Sequence, residues 1–194
     1  MFVDAWTRMG ASMVQNSLEA NRAVLSLFPT GATHEDQLPG VDSVAFDQHD
    51  WTFDRSVEES DEITVGDTVS FSKVFDQADV QVFSRVSGDT NRLHLDEEYA
   101  TATRFGGRIV HGTLVAGLIS AALARLPGLT IYLSQDLEFR SPVRVGDRLT
   151  GTVEVVENLG SSQYRLSTVI DDEDAETRVI EGEAVVLIDD PPNP

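Results

Sequence analysis

The sequence predicts an α+β fold in which an antiparallel sheet curls around one buried helix. Residues 113–126 are apolar on too many sides for a single helical stripe, which predicts a helix buried on nearly all of its surface. The short connections at 157–162 and 171–177 favour antiparallel neighbours. One buried helix followed by such strands is the pattern of an α+β domain. The strand candidates that follow the helix lie at 131–139, 148–156, 163–170 and 178–188.

The first third of the chain predicts an extension to this domain. Residues 2–28 place hydrophobic side chains close to a helical period and predict one or two amphipathic helices, which would pack on the domain or another subunit, or attach to a hydrophobic surface such as a storage granule. Residues 30–62 have no sustained periodicity and predict a linker. The predicted domains are an N-terminal amphipathic helix and linker at 1–62, a main domain at 63–188 and a flexible tail at 189–194.

The residues before the buried helix predict a strand and two short helices. Hydrophobic residues at 69–75 predict the strand. Asp76 is a suitable N-cap for a helix that Gly88 would close. Asp96 would cap the next turn or two, with two glutamates at the positive end of the helix dipole.

The start of the buried helix has features of a ligand site. Thr113 is a suitable N-cap, and the free N–H groups beside Gly112 would present partial positive charge to a ligand. A glycine at this position lets a ligand carbonyl or phosphate come close. Ser120 is the one hydroxyl further along the apolar run, and it would hydrogen-bond either a ligand or its own helix. Pro127 would end the helix.

The composition excludes several kinds of partner and chemistry. The chain has 14 basic and 33 acidic residues and a net charge of −19, which argues against nucleic acid or an anionic membrane as a partner. Lys73 is the only lysine, and such an acidic, lysine-poor composition is typical of a salt-rich cytoplasm. No cysteine is present, which excludes disulfides and cysteine zinc sites. No secretory leader or membrane-spanning run is visible, so we expect a cytoplasmic protein.

The candidate acid/base residues are Asp89 and His94, which lie five residues apart in a polar stretch that runs into a helix start. Both could face one cavity, although Asp89 could also serve only to shape a turn. We expect His111 to make a structural hydrogen bond ahead of a catalytic role. A metal site built from His94, Asp96 and His111 has no recognisable spacing, so we expect no metal.

These residues belong to a longer pattern. The run SGDTNRLHLD at 87–96 is followed by Phe105, the run IVHG at 109–112 and Leu114, and then by IYL at 131–133, Phe139, Pro142, VGD at 145–147 and GEA at 182–184. With this pattern the chain resembles the MaoC-like, (R)-specific enoyl-CoA hydratases of the hot-dog fold over about residues 63–188. Arg92 is a departure, because the family usually has proline there. We expect a looser loop or a local salt bridge at this position.

The resemblance implies reversible (R)-specific hydration of trans-2-enoyl-CoA to (R)-3-hydroxyacyl-CoA. Asp89 and His94 take the places of the pair that holds and activates water, and Gly112 that of the backbone N–H that polarises the thioester carbonyl. Ser120 takes the place of a serine near the catalytic groups and the acyl pocket. Asn91 and Leu123 are further candidates for substrate binding. Coenzyme A would be the carrier of the substrate, and no cofactor is expected.

Partners and pathway follow from the same resemblance. Hot-dog domains of this kind usually form homodimers, and pairing would also cover an exposed sheet edge. The product could supply polyhydroxyalkanoate synthesis or serve fatty-acid metabolism. The alternatives are an acyl-CoA thioesterase or a non-catalytic acyl-thioester binder of the same fold, or a structural protein of a storage granule. Candidates to bind the coenzyme A phosphates, or to pair with surface carboxylates instead, are Arg104, Arg108, Arg140 and Arg144.

Overall fold

A computed structural model describes residues 50–190 of the chain. The predicted N-terminal helices, most of the linker and the end of the tail lie outside these residues. The strands form one six-stranded sheet in the order β1-β2-β4-β5-β6-β3, with every neighbouring pair antiparallel. Their bounds are β1 Thr52–Arg55, β2 Thr68–Val74, β3 Leu129–Phe139, β4 Arg148–Gly160, β5 Gln163–Asp172 and β6 Thr177–Asp189.

Four α-helices lie between β2 and β3, and a short 3-10 turn at Ser60–Glu62 precedes β2. The helix caps follow the sequence: Asp76 and Asp79 form a capping box at the start of α1, and Gly88 closes it in the left-handed conformation with φ 78°. Asp96 accepts a hydrogen bond from the Tyr99 N–H and so caps α3. The helix bounds are α1 Gln77–Ser87, α2 Arg92–Leu95, α3 Glu97–Thr101 and α4 Gly112–Leu123.

The long apolar helix α4 packs across β2, β4 and β5, which confirms the predicted α+β arrangement. Its buried face contributes Val115, Leu118 and Ile119 to the hydrophobic core. The helix and the sheet approach closely at Gly151 on β4, where an added Cβ would lie 2.9 Å from the Leu118 Cβ. Glycine at that position therefore lets α4 lie directly on the sheet. Among the described residues, no helix is long and apolar enough to cross a membrane.

Three boundaries differ from the sequence-based expectation. The N-cap of α4 is His111 and not Thr113, because the extended backbone at His111 (φ −61°, ψ 129°) starts the helix two residues earlier. β4 runs on to Gly160 and turns directly into β5 at Ser161 and Ser162, both with positive φ. The Ser-Ser pair lacks the Asn-Gly or Asp-Gly signature of such tight turns, so a longer loop was predicted. β1 also lies in the predicted linker and pairs with β2.

Candidate active site

The loop between α1 and α2 is shaped by its own side chains. The Ser87 hydroxyl donates to the Phe83 carbonyl at 2.7 Å and accepts from the Asp89 N–H at 3.1 Å. Asp89 Oδ1 accepts from the Asn91 N–H at 3.2 Å, and Asn91 Oδ1 accepts from the Leu93 N–H at 3.0 Å, which starts α2. Asp89 Oδ2 has no hydrogen-bond partner between residues 50 and 190, so that oxygen is available to a ligand or to water.

His94 lies on α2 and is 8 % exposed. Its Nδ1 lies 2.8 Å from the Ile109 carbonyl oxygen, and a carbonyl can only accept, so Nδ1 carries the proton. In the neutral form of the ring, Nε2 on the other side is then unprotonated. Asp89, His94 and His111 each bring a side-chain nitrogen or oxygen within 4.8 Å of the others. The structure therefore brings the two predicted acid/base residues together.

The start of α4 supplies hydrogen-bond donors beside this pair. The His111 side chain does not cap the helix, and the first N–H that bonds back into it is that of Val115, to the His111 carbonyl at 3.0 Å. The N–H groups before Val115 therefore have no partner within the helix. Gly112 and His94 both line a cavity of about 420 Å³. Donors at a helix start that open into such a cavity are suited to a developing oxyanion.

Phe139 is a part of the cavity that the sequence did not indicate as functional. It is the last residue of the edge strand β3 and is 55 % exposed. A Cβ added to Gly112 would lie 2.8 Å from the Phe139 Cε1, so the ring packs directly on the glycine. The contact joins residues 27 positions apart in the sequence, so it depends on how β3 meets α4 and no local sequence pattern predicts it. The remaining cavity walls are Arg104, Phe105, Ile109, Val110, Val115, Arg140, Ser141, Pro142, Val143, Val179 and Ile180.

The other predicted substrate-binding residues do not line the cavity, and neither does Asp89, which lies beside His94. Asn91 uses its side-chain oxygen to start α2 and is exposed. Ser120 lies on the exposed side of α4, and Leu123 is buried in the core. None of the three lines the cavity beside His94. Their substrate-binding roles stay predictions.

Arg92, in the position where proline was expected, makes the predicted local salt bridge. Its guanidinium bonds Asp96 Oδ2 through Nε at 3.0 Å and Nη2 at 2.8 Å. It also lies over the Tyr99 ring, 4.4 Å from the ring centroid. These contacts, together with the backbone bond from the Tyr99 N–H, hold the pKa of Asp96 below its ordinary value, the backbone bond being the largest cause. Arg92 therefore ties α2 to α3 without a proline ring.

The three metal ligands that the sequence offered, His94, Asp96 and His111, do not form one group in the described chain; the residues whose ligand atoms lie within 4.8 Å of one another are Asp89, His94 and His111. The rings of His94 and His111 stack with centroids 3.8 Å apart and planes tilted by 31°. Asp96, which the sequence offered as a third ligand, instead caps α3 and pairs with Arg92.

Comparison with known proteins gives a consistent result. A family model described as "MaoC like domain" matches residues 50–177. The chain is 41 % identical over 133 residues to an (R)-specific enoyl-CoA hydratase of Rhodospirillum rubrum, which covers 66 % of this chain and 90 % of that protein. It is 42 % identical over 130 residues to a 3-hydroxybutyryl-CoA dehydratase of Methylorubrum extorquens, covering 66 % and 82 % of the two chains.

Two solved hydratase structures are also similar to this chain. The unliganded R-hydratase PhaJ1 from Pseudomonas aeruginosa superposes with a TM-score of 0.64 at 37 % identity, covering 72 % of this chain and 90 % of that one. The (R)-hydratase of Aeromonas caviae, described as involved in PHA biosynthesis, superposes with a TM-score of 0.63 at 38 % identity, covering 66 % and 98 %. The similarity thus includes nearly the whole length of each of the two solved structures and about two thirds or more of this chain.

Proposed function

The chain belongs to the family of MaoC-like domains, and we propose from its site that it is an (R)-specific enoyl-CoA hydratase. It adds water across the double bond of a trans-2-enoyl-CoA to give an (R)-3-hydroxyacyl-CoA, and it catalyses the reverse dehydration. The observation that carries the proposal is the meeting of Asp89 and His94, beside unpartnered N–H groups at the start of α4.

Hydration of the double bond needs three things from the protein. A water molecule must lose a proton as its oxygen bonds the β-carbon, the α-carbon must gain a proton, and the enolate oxygen between them must be stabilised. His94 Nε2 is the unprotonated nitrogen of the neutral ring and can hold or accept the proton of this water. Asp89 Oδ2 is a second acceptor for the same water, and the proton that the pair takes from the water is delivered from the same side to the α-carbon. General acid/base help of this kind is typically worth about 10²–10⁴ in rate.

The enolate oxygen would be stabilised by hydrogen-bond donors at the start of α4. The Gly112 N–H is the donor that the family resemblance assigns, and Gly112 lines the cavity together with His94. A preorganised donor of this type contributes about 10²–10³ in kcat. The pair and the donor therefore supply the three requirements of the reaction from one short region of the chain.

The four arginines that the sequence offered as coenzyme A ligands differ in their availability, and only Arg104 and Arg140 line the cavity. Arg108 pairs with Glu97, Arg140 pairs with Glu138 and Glu181, and Arg144 donates to the Phe105 carbonyl. Arg104 lies over the Phe105 ring, with its Cζ 5.0 Å from the ring centroid, and has no carboxylate partner in the described part of the chain. We therefore propose Arg104 as the cation that binds a coenzyme A phosphate.

Replacing Arg104 with alanine should raise the KM for crotonyl-CoA about three- to tenfold and leave kcat unchanged, because a charge-assisted contact to phosphate is lost. The KM for crotonyl-pantetheine, which lacks the phosphates, should not change. Arg165→Ala is the matched control, because Arg165 pairs with Glu157 and Glu183 on the sheet and does not line the cavity. Equal KM values for wild type and Arg104→Ala on crotonyl-CoA would show that Arg104 does not bind a coenzyme A phosphate.

The test of the function itself uses two readouts on crotonyl-CoA. Hydration removes the absorbance of the conjugated thioester without releasing a thiol, whereas a thioesterase releases free coenzyme A. We expect the absorbance to fall with no free thiol. Thiol release would favour the thioesterase alternative, and binding without either change would favour the non-catalytic binder.

We further propose that the protein acts as a homodimer in a salt-rich cytoplasm and supplies polyhydroxyalkanoate synthesis. The dimer is supported by β3, an eleven-residue strand whose only sheet partner among residues 50–190 is β6. Leu129, Tyr132 and Phe139 on this strand are large and exposed, and a second subunit would cover them. Attachment to a storage granule would depend on residues 2–28, which lie outside the described part of the chain.

A further inference from the structure

His111 is a buried histidine that the hydration mechanism does not use. It is 1 % exposed and is the N-cap residue of α4. Its Nε2 lies 3.1 Å from the Asp89 main-chain oxygen and 3.4 Å from the Ser84 hydroxyl. The Ser84 hydroxyl gives its own proton to the Val80 carbonyl at 2.9 Å, so it accepts from His111.

These contacts fix the tautomer of His111. A carbonyl oxygen only accepts, so Nε2 carries the proton and donates it chiefly to Asp89. Nδ1 is then unprotonated, and it is buried without a hydrogen-bond partner in the described part of the chain. The ring is therefore built into the site as a neutral imidazole.

The ring of His111 also supports the ring of His94. The two centroids lie 3.8 Å apart, and Phe83 packs on His111 with its centroid 5.0 Å away. His94 is otherwise held by the bond from its Nδ1 to the Ile109 carbonyl. That bond fixes one edge of the His94 ring, and the stack fixes its face.

We propose that neutral His111 is a positioning residue for the hydration reaction. It holds the main chain of Asp89, the face of the His94 ring and the start of α4 in one fixed arrangement. This inference rests on the proposed hydratase function. A displacement of about 1 Å in such an arrangement can lower a rate by about 10²-fold. His111 starts α4 with its backbone and touches the Asp89 carbonyl and the His94 ring with its side chain, so its replacement is expected to affect kcat and not substrate binding.

The charge state of His111 gives a second, independent observable. Asp89 and His94 are the titratable groups that face it, and Ser84 and Phe83 carry no charge. Burial lowers the pKa of His111 below its ordinary value of 6.5, and the nearby His94 lowers it further, against the raising effect of Asp89. Protonation would also place an N–H on the buried Nδ1, which has no acceptor there.

The lowered pKa of His111 in the folded chain makes the free energy of unfolding depend on pH. Well above pH 6.5 His111 is neutral in both the folded and the unfolded chain. Below that value the unfolded chain binds the proton first, so the free energy of unfolding decreases as the pH falls from 6.5 towards the lowered pKa. Removing the imidazole should remove this part of the pH dependence.

Two variants separate the contacts of His111. His111→Phe keeps an aromatic ring against His94 and removes the donor to Asp89, whereas His111→Gln keeps an N–H donor and removes the ring. We expect both to lower kcat for crotonyl-CoA about 10- to 100-fold, with KM within about twofold of wild type. Ile188→Val, a core change near the end of β6 where Ile188 pairs with Thr130 on β3, should reduce stability without changing kcat.

The second measurement is urea unfolding at about pH 7.5 and about pH 5.5. Wild type should lose more stability between these values than either His111 variant, because only wild type buries a neutral imidazole there. Wild-type kcat in both variants would overturn the proposal, as would a pH dependence equal to that of wild type. If wild type does not hydrate enoyl-CoA, the function fails, while unfolding still reports whether His111 is held neutral. If His111→Phe does not fold, His111→Gln alone decides.

Discussion

Replacing Asp89 with asparagine, or His94 with glutamine, should lower kcat for hydration by about 10²-fold or more. Asparagine keeps the Oδ1 that accepts from the Asn91 N–H, so the loop is preserved and only the carboxylate charge is lost. Glutamine at 94 removes the unprotonated ring nitrogen that faces away from the Ile109 carbonyl. Both variants should fold, and the measurement is the steady-state rate on crotonyl-CoA.

Glu98→Gln is the matched control for the loss of one negative charge. Glu98 is an exposed carboxylate on α3 and does not line the cavity. Its replacement should leave kcat and KM unchanged. A folded Asp89→Asn or His94→Gln protein with a kcat within a few-fold of wild type would show that the chemistry is carried by other groups.

Replacing Gly112 with alanine should lower kcat/KM by about 10²-fold, close to the loss of an oxyanion donor. The added Cβ would lie 2.8 Å from the Phe139 Cε1 and 3.1 Å from its Cδ1, so the ring must move. The cavity in which it would have to move also contains His94. The N–H itself remains in the variant, so the loss reflects blocked access of the thioester to the donor.

Two further variants identify the cause of this loss. In the Gly112→Ala, Phe139→Ala double variant the ring is absent, and we expect at least a tenfold recovery of kcat/KM relative to Gly112→Ala alone. Gly117→Ala introduces the same methyl group on the same helix at a position where nothing lies within 4 Å, and it should keep full activity. If the double variant shows no recovery, the steric account of Gly112 is wrong.

Local patterns were sufficient to predict the architecture. The apolar run of α4 and the alternation in β4 and β5 have periods that depend only on neighbouring residues, so the sequence predicts all three elements. Asp76 and Gly88 act through hydrogen bonds and φ within one turn, so the ends of α1 were also predicted. The short edge strand β1 has no such pattern, because all but one of its residues are exposed.

The site was predictable only in part for the same reason. Asp89 and His94 lie close together in the sequence, in one turn and the helix start that follows it, so the local sequence predicts that they act as a pair. The bond from His111 to the Asp89 carbonyl spans 22 residues, and the packing of Phe139 on Gly112 spans 27, so both depend on how the helices and β3 meet. The availability of Arg104 likewise depends on which carboxylates the fold places beside the other arginines.

The most direct test of the account is the chirality of the product that the purified full chain forms from crotonyl-CoA in high salt. We expect the enoyl absorbance to fall and the product to be (R)-3-hydroxybutyryl-CoA in large enantiomeric excess. The (S) product, or no hydration of crotonyl-CoA or longer enoyl-CoAs by the folded protein, would contradict it.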